Sequence, residues 1–299
     1  MNRRDFIGRS ASLAIAWGIP YQAWTRPLSP PPLTASIKLS CNAYSFNGLF
    51  RAGQMNAEDM IDFCGTLPLA AIDLTGYYLG TYPAPPSPKR LFALKKRAFR
   101  HGLDISGTGV RNDFCTPDSD RREAALAHVR EWVQVAAQLD APVLRVFTGR
   151  PPADAPSRED LLQQVADCLL YCADYGGEHG VMIVLQNHNE LLYTAEDTLD
   201  MLERADHPWL GLCLDIGSLR QSDPYTEIER LAPYAVTWQV KEQVYRQGTP
   251  EDLDLARLAR IMHKSGYRGY APLEILNSDD PKADLATFTR AFQQALDPN

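Results

Sequence analysis

Along residues 36–299 the chain alternates short apolar runs with longer stretches in which apolar residues recur every three or four positions. Side chains on a strand alternate between two faces and those on a helix repeat every 3.6 residues, so the two patterns separate strands from helices. They predict strands over 37–46, 70–75, 103–110, 142–148, 181–188, 210–217, 235–242 and 271–276. Helical patterns fall between these runs and after the last, most plainly over 121–139, 158–175, 254–264 and 282–296. His101-Gly102, His179-Gly180 and Ser265-Gly266 each close a helical pattern just before a strand, where glycine takes the left-handed conformation that stops a helix. Eight strand-then-helix units of about 33 residues, without a long interruption, predict a single (β/α)8 TIM barrel over 36–299. No glycine-rich phosphate loop follows the first strand, which argues against a dinucleotide-binding sheet.

In such a barrel alternate strand residues face the axis, and chemistry gathers at the C-terminal strand ends. On the fifth strand Val181, Ile183 and Leu185 suit the helix layer, which leaves Gln186 and His188 on the axis side. The same parity turns Asp215 inward on the sixth strand, Gln239 and Lys241 on the seventh, and Glu274 on the eighth. Arg145 faces inward between Val143 and Phe147, as do Asn42, Tyr44 and Phe46 at the end of the first strand. Asp73 and the Asn112-Asp113-Phe114 stretch read as loop or cap residues.

Gln186, Asp215, Gln239 and Glu274 thus bring oxygen donors together from four consecutive strands. Two carboxylates in one buried site repel unless a cation lies between them. Four oxygens without an imidazole suit one divalent ion, Mn²⁺ or Mg²⁺, better than zinc; a hydrogen-bonded polar plug without metal is the alternative. His188 is the only one of six histidines expected at a strand end, so a multinuclear zinc site is not supplied. Asn42 and Tyr44 suit sugar hydroxyls, since amides and phenols hydrogen-bond them beside an aromatic face. Arg145 either contacts substrate or pairs with the carboxylates.

Composition narrows the partners. The 299 residues are 45% hydrophobic and 22% charged, enough for a large core and unlike a disordered or disulfide-scaffold chain. The net charge of −7 is uneven: Arg3, Arg4, Arg9 and Arg26 against Asp5 give the first 35 residues +3 and leave −10 for the rest. So acidic a body repels phosphate backbones and argues against nucleic acid as a partner. Residues 1–35, with Arg3-Arg4, a weakly apolar run over 10–19 and the prolines 30–32, resemble a twin-arginine export signal followed by a linker. The apolar run is too short for a stable membrane anchor, and a periplasmic location is expected, or a cytoplasmic one if the signal is not used. Six cysteines at 41, 64, 115, 168, 172 and 213 form no CxxC pair and read as small core residues.

The strand-end residues resemble the motifs of the xylose-isomerase-like TIM-barrel superfamily, the sugar phosphate isomerase/epimerase group. Its Glu-Asn-His, Asp-x-Gly-His, His-x-Lys-Asp/Glu and final Glu stand here as Gln186-Asn187-His188, Asp215-Ile216-Gly217-Ser218, Gln239-Val240-Lys241-Glu242 and Glu274. The resemblance implies Gln186, Asp215, Gln239 and Glu274 as metal ligands, although Gln186 replaces a glutamate and Gln239 a histidine. It also adds Asn187 to the expected substrate-binding set of Asn42, Tyr44 and Arg145. An amide cannot take up a proton as a glutamate does, so a mechanism with two opposed glutamates does not transfer intact. The expectation is proton transfer beside the carbonyl of a carbohydrate or keto-sugar, with Glu274 as base, His188 replacing the missing acid, and Lys241 stabilising an enolate. Isomerisation or epimerisation leads, with a keto-sugar lyase or dehydratase, or a non-catalytic sugar-binding barrel, as alternatives. An apurinic-site endonuclease shares the fold but conflicts with the acidic body. Barrels of this kind often pair, so a homo-oligomer is compatible with the reading.

Overall fold

Ten strands form in the computed structural model, which describes residues 37–153, 157–188 and 190–297. They are β1 (Lys38–Asn42), β2 (Ala71–Asp73), β3 (Asp104–Gly109), β4 (Val143–Val146), β5 (Met182–Gln186), β6 (Leu210–Asp215), β7 (Ala235–Lys241), β8 (Gln243–Arg246), β9 (Thr249–Asp252) and β10 (Tyr270–Glu274). Eight of these close into a barrel in the order β1-β10-β7-β6-β5-β4-β3-β2, every pair parallel, as the alternating pattern predicts. The export-like leader of 1–35 lies outside the described residues. Among the described residues no helix is long and apolar enough to cross a membrane.

The helix layer follows from local chemistry. Helix Ala57–Cys64 starts at a capping box, in which Asn56 accepts from the N–H of Asp59 while Asp59 accepts from that of Asn56. Thr194 and Asp197 repeat this at helix Ala195–Arg204. Gly102, Gly180 and Gly266 follow helix ends with φ of 69°, 68° and 78°, the left-handed stops expected there. The apolar strand positions, such as Ile183, Leu212, Leu214, Trp238 and Leu273, are buried against the helices. All six cysteines are buried and unpaired.

Two features depart from the sequence reading. β1 ends at Asn42, whose side chain accepts the Tyr44 N–H at 2.8 Å and turns the chain into a short 3₁₀ helix over Ala43–Phe46. Strand parity therefore stops there: Tyr44 lies on the rim, 38% exposed, and Phe46 packs edge-on against Phe63 of the helix layer. The second is the antiparallel hairpin β8–β9, which follows β7 at the mouth of the barrel and has no counterpart in the predicted units.

Candidate active site

Strand register determines which polar residues meet. Asp215 on β6 lies opposite Gln239 on β7, and Lys241 on β7 opposite Glu274 on β10. The Asp215 carboxylate is fully buried and accepts four hydrogen bonds. The Gly217 N–H reaches Oδ1 at 3.0 Å, while Gln186 Nε2 (2.6 Å), Lys241 Nζ (2.7 Å) and Ser218 Oγ (2.9 Å) reach Oδ2. The Lys241 ammonium stands between two carboxylates, since Glu274 Oε1 is 3.8 Å from the same Nζ. Gln239 Nε2 donates to Glu274 Oε2, and Gln239 Oε1 accepts from Asn42 Nδ2 at 3.3 Å. Arg145 donates from Nη1 to Gln186 Oε1 at 2.9 Å and from Nη2 to Thr75 at 3.4 Å.

Two glycines on inward positions make room for the two cations. A Cβ on Gly217 would meet the Lys241 stem at 2.6 Å, and one on Gly109 would meet the Arg145 guanidinium at 2.7 Å. The surroundings also set the charges. Burial opposes charge on Asp215, but Lys241 and the neighbouring donors outweigh it and hold its pKa below the usual value. Burial, reinforced by the Asp215 charge and only partly offset by Lys241, raises the pKa of Glu274. Burial likewise raises that of Asp73, against the field of Arg145. Lys241 is shifted upward, because Asp215 and Glu274 overcome its desolvation.

The four expected metal ligands do converge, but they do not fit a resident Mn²⁺ or Mg²⁺. An ion between Asp215 and Glu274 needs oxygen lone pairs turned toward it. Both amides point the other way: each oxygen accepts from Arg145 or Asn42, and each NH₂ donates to a carboxylate. Turning Gln186 over would set its NH₂ against the Arg145 guanidinium and its oxygen against the Asp215 carboxylate. Lys241 already holds the position between the acids, and a divalent ion about 4 Å from its ammonium would be repelled by roughly 8 kcal/mol at an effective dielectric near 20. Among the described residues no group of three or more His, Cys, Asp or Glu is placed to hold a metal. As arranged, the four expected ligands do not fit the expected ion, and the Lys241 ammonium lies between the two acids.

The other expected residues are placed as follows. His188 lies two residues past β5, with its ring edge-on to Phe147 at 5.4 Å and its side chain 35% exposed. Burial lowers its pKa, against the raising effect of Asp215 and Glu190, so the imidazole is neutral near pH 7. Arg145 is 5% exposed and donates to the uncharged Gln186 and Thr75, feeling the Asp73 and Glu274 carboxylates only through their field, which makes it a structural member of the network. Asn187, expected on the substrate, clamps two strand ends instead: its Nδ2 donates to the Asp215 carbonyl at 3.0 Å and its Oδ1 accepts the Asp215 N–H at 2.7 Å. Asn42 is buried inside the network, and Tyr44 lines an open 520 Å³ groove with Phe50, Tyr77 and Tyr78. A second cleft, of 280 Å³, opens beside Lys241 between Arg220, Tyr245 and Asn277. The sequence reads Asp73 as a loop or cap residue and singles out neither Glu190 nor Arg111. Asp73 is buried at the end of β2 rather than in a loop, and Glu190, 6% exposed, accepts from Arg111 at 2.6 Å, with that guanidinium over the Phe147 ring. Asp73 sits on a strand of three residues, too short for parity to show, and Glu190 and Arg111 lie in loops with no period at all.

A family model described as xylose isomerase-like TIM barrel matches residues 62–294. No curated protein matches the sequence. Among solved structures the fold is similar to a D-psicose 3-epimerase with D-tagatose from Clostridium cellulolyticum H10, at 14% identity and a TM-score of 0.72, covering 87% of this chain and 100% of that one. It is also similar to the apo form of a 3-keto-D-glucoside 4-epimerase from E. coli, at 14% identity and a TM-score of 0.69, covering 87% and 99%. A probable 3-DHS dehydratase from Bacillus anthracis shares it at 17% identity and a TM-score of 0.68, covering 88% and 100%. At these identities the likeness is one of fold.

Proposed function

The chain belongs to the xylose isomerase-like TIM barrel family, and on that premise we propose that it is a sugar isomerase or epimerase that moves a proton on a carbon beside a carbonyl. The observation that carries this reading is the state of Glu274. Its Oε2 is anchored by Gln239, its Oε1 faces the Lys241 ammonium from 3.8 Å, and burial raises its pKa toward the range in which a carboxylate works as a base at neutral pH. His188, neutral and partly exposed on the neighbouring part of the rim, is the group that returns or relays the proton. The two epimerases of similar fold are named for D-psicose and for a 3-keto-D-glucoside, which fits a carbohydrate substrate. The aromatic groove of Tyr44, Tyr77 and Tyr78 offers ring faces of the kind that hold sugars.

The test is solvent exchange. Ketoses such as D-fructose and D-tagatose, with the 3-keto form of a glucoside added, are incubated with the enzyme in D₂O and followed by NMR. Deuterium is expected at a carbon next to the carbonyl, with an epimer or isomer accumulating. Binding without label in any of these sugars would assign the barrel to recognition alone, and loss of water from the product would assign it to elimination. The leader extends the reading to an exported enzyme acting on free sugars or glycosides; a reporter fused behind residues 1–35 and recovered in the periplasm is the expected outcome, and retention in the cytoplasm would contradict it.

A further inference from the structure

We propose that Lys241 is the resident cation of this site and does the work of a metal: its ammonium neutralises the Asp215–Glu274 pair and holds the substrate oxygen that becomes negative when the proton leaves. This rests on the proton-transfer reading above. Three independent features place the lysine. Its Nζ is 2.7 Å from Asp215 and 3.8 Å from Glu274, the span an ion between the two acids would occupy. Gly217 leaves open the volume its stem fills, since a Cβ there would lie 2.6 Å from Lys241 Cδ. Both glutamines present NH₂ groups to the carboxylates, with their oxygens held by Arg145 and Asn42.

The lysine also reaches outward. It lines the 280 Å³ cleft at the barrel mouth, so a carbonyl oxygen entering from that cleft meets one of its N–H groups. The step balances without a further reagent. Glu274 Oε1 takes the proton, the C–H electron pair becomes the C=C bond of an enediolate, and the carbonyl π pair moves to the oxygen beside Lys241. Return of a proton to the same carbon from the opposite face gives the epimer; its return to the former carbonyl carbon, with the hydroxyl proton of the other carbon passed to the oxygen beside Lys241, gives the isomer.

The experiment uses the full chain and Mn²⁺ alone as the first probe. Wild-type protein, stripped with chelator and titrated while free Mn²⁺ is followed by electron paramagnetic resonance, should show no saturable site below about 1 mM, and Lys241→Met should gain affinity by at least about tenfold. Deuterium exchange into the ketose panel should continue at an unchanged rate in chelator and fall about 100-fold or more in Lys241→Met. Gly217→Ala, which keeps every charged group but crowds the lysine stem, should slow exchange in the same direction. A saturable Mn²⁺ site in the wild type, or exchange abolished by chelator and restored by Mn²⁺, would overturn the assignment while leaving the proton transfer standing. Undiminished exchange in Lys241→Met would overturn it equally. If no sugar exchanges with any protein, the reaction falls, and a wild type that ignores Mn²⁺ beside a Lys241→Met variant that binds it still shows the lysine in the ion's place.

Discussion

Replacing Asp215 by Asn removes one charge from a pair that is almost closed to water. The Asp215 side chain is fully buried and that of Lys241 is 11% exposed, so in Asp215→Asn the ammonium keeps only Glu274, at 3.8 Å. Orphaning one member of a buried ion pair costs about 3–5 kcal/mol. In a domain of this size each kcal/mol moves the thermal midpoint by about 2–4 °C, so the variant should melt roughly 6–20 °C lower. Lys241→Met leaves Asp215 with three of its four donors, Gly217, Gln186 and Ser218, and should cost about 3 kcal/mol. In the double variant neither Asp215 nor Lys241 is left without the other, and Glu274 loses the ammonium as it already does in Lys241→Met, so the loss should not exceed that of the worse single change. The cycle therefore has a coupling energy of at least about 2 kcal/mol. Urea unfolding of the four proteins, with equal m-values as the control, measures it. Losses that add to within about 0.5 kcal/mol would show that the two groups are not paired in the folded protein, and the reasoning would fail.

The raised pKa of Glu274 gives turnover a direction with pH. The base form is lost on acidification at a pH above the ordinary carboxylate value of 4.5, so kcat/KM should fall as pH drops through that higher point; a limb at or below 4.5 would assign the base to another group. Asn187→Ala strands the N–H and carbonyl of Asp215 and should cost about 1–3 kcal/mol in urea unfolding, with sugar affinity by calorimetry within about threefold of wild type. A large loss of affinity at unchanged stability would return Asn187 to the substrate.

The barrel was legible because its strands are continuous and its helix stops explicit. Parity turned Gln186, Asp215, Gln239, Lys241 and Glu274 to the buried network, since β5, β6, β7 and β10 run for five to seven residues with apolar neighbours on the other face, and the register shift between β6 and β7 at Leu212/Cys213 lies before their C-terminal ends. It failed at β1, where Asn42 caps a 3₁₀ turn and sends Phe46 to the opposite layer, and at β2, whose three residues hide the inward placement of Asp73. The orientation of the glutamine amides was beyond any sequence pattern. It is decided by Arg145 and Asn42, which come from strands far away in the chain, and that orientation is what turns four oxygen donors into a lysine-centred network. Glu190 and Arg111 meet across 79 residues between loops, where no periodicity operates.

In the proposed reaction Glu274 moves a proton beside a sugar carbonyl while Lys241, and no metal, holds the oxygen. Wild type and Glu274→Gln compared in D₂O, both in the presence of chelator, test it most directly. Deuterium is expected next to the carbonyl of at least one ketose with wild type, at a rate about 10²–10⁴-fold lower with Glu274→Gln. Equal labelling by the two proteins, or none by the wild type, would contradict it.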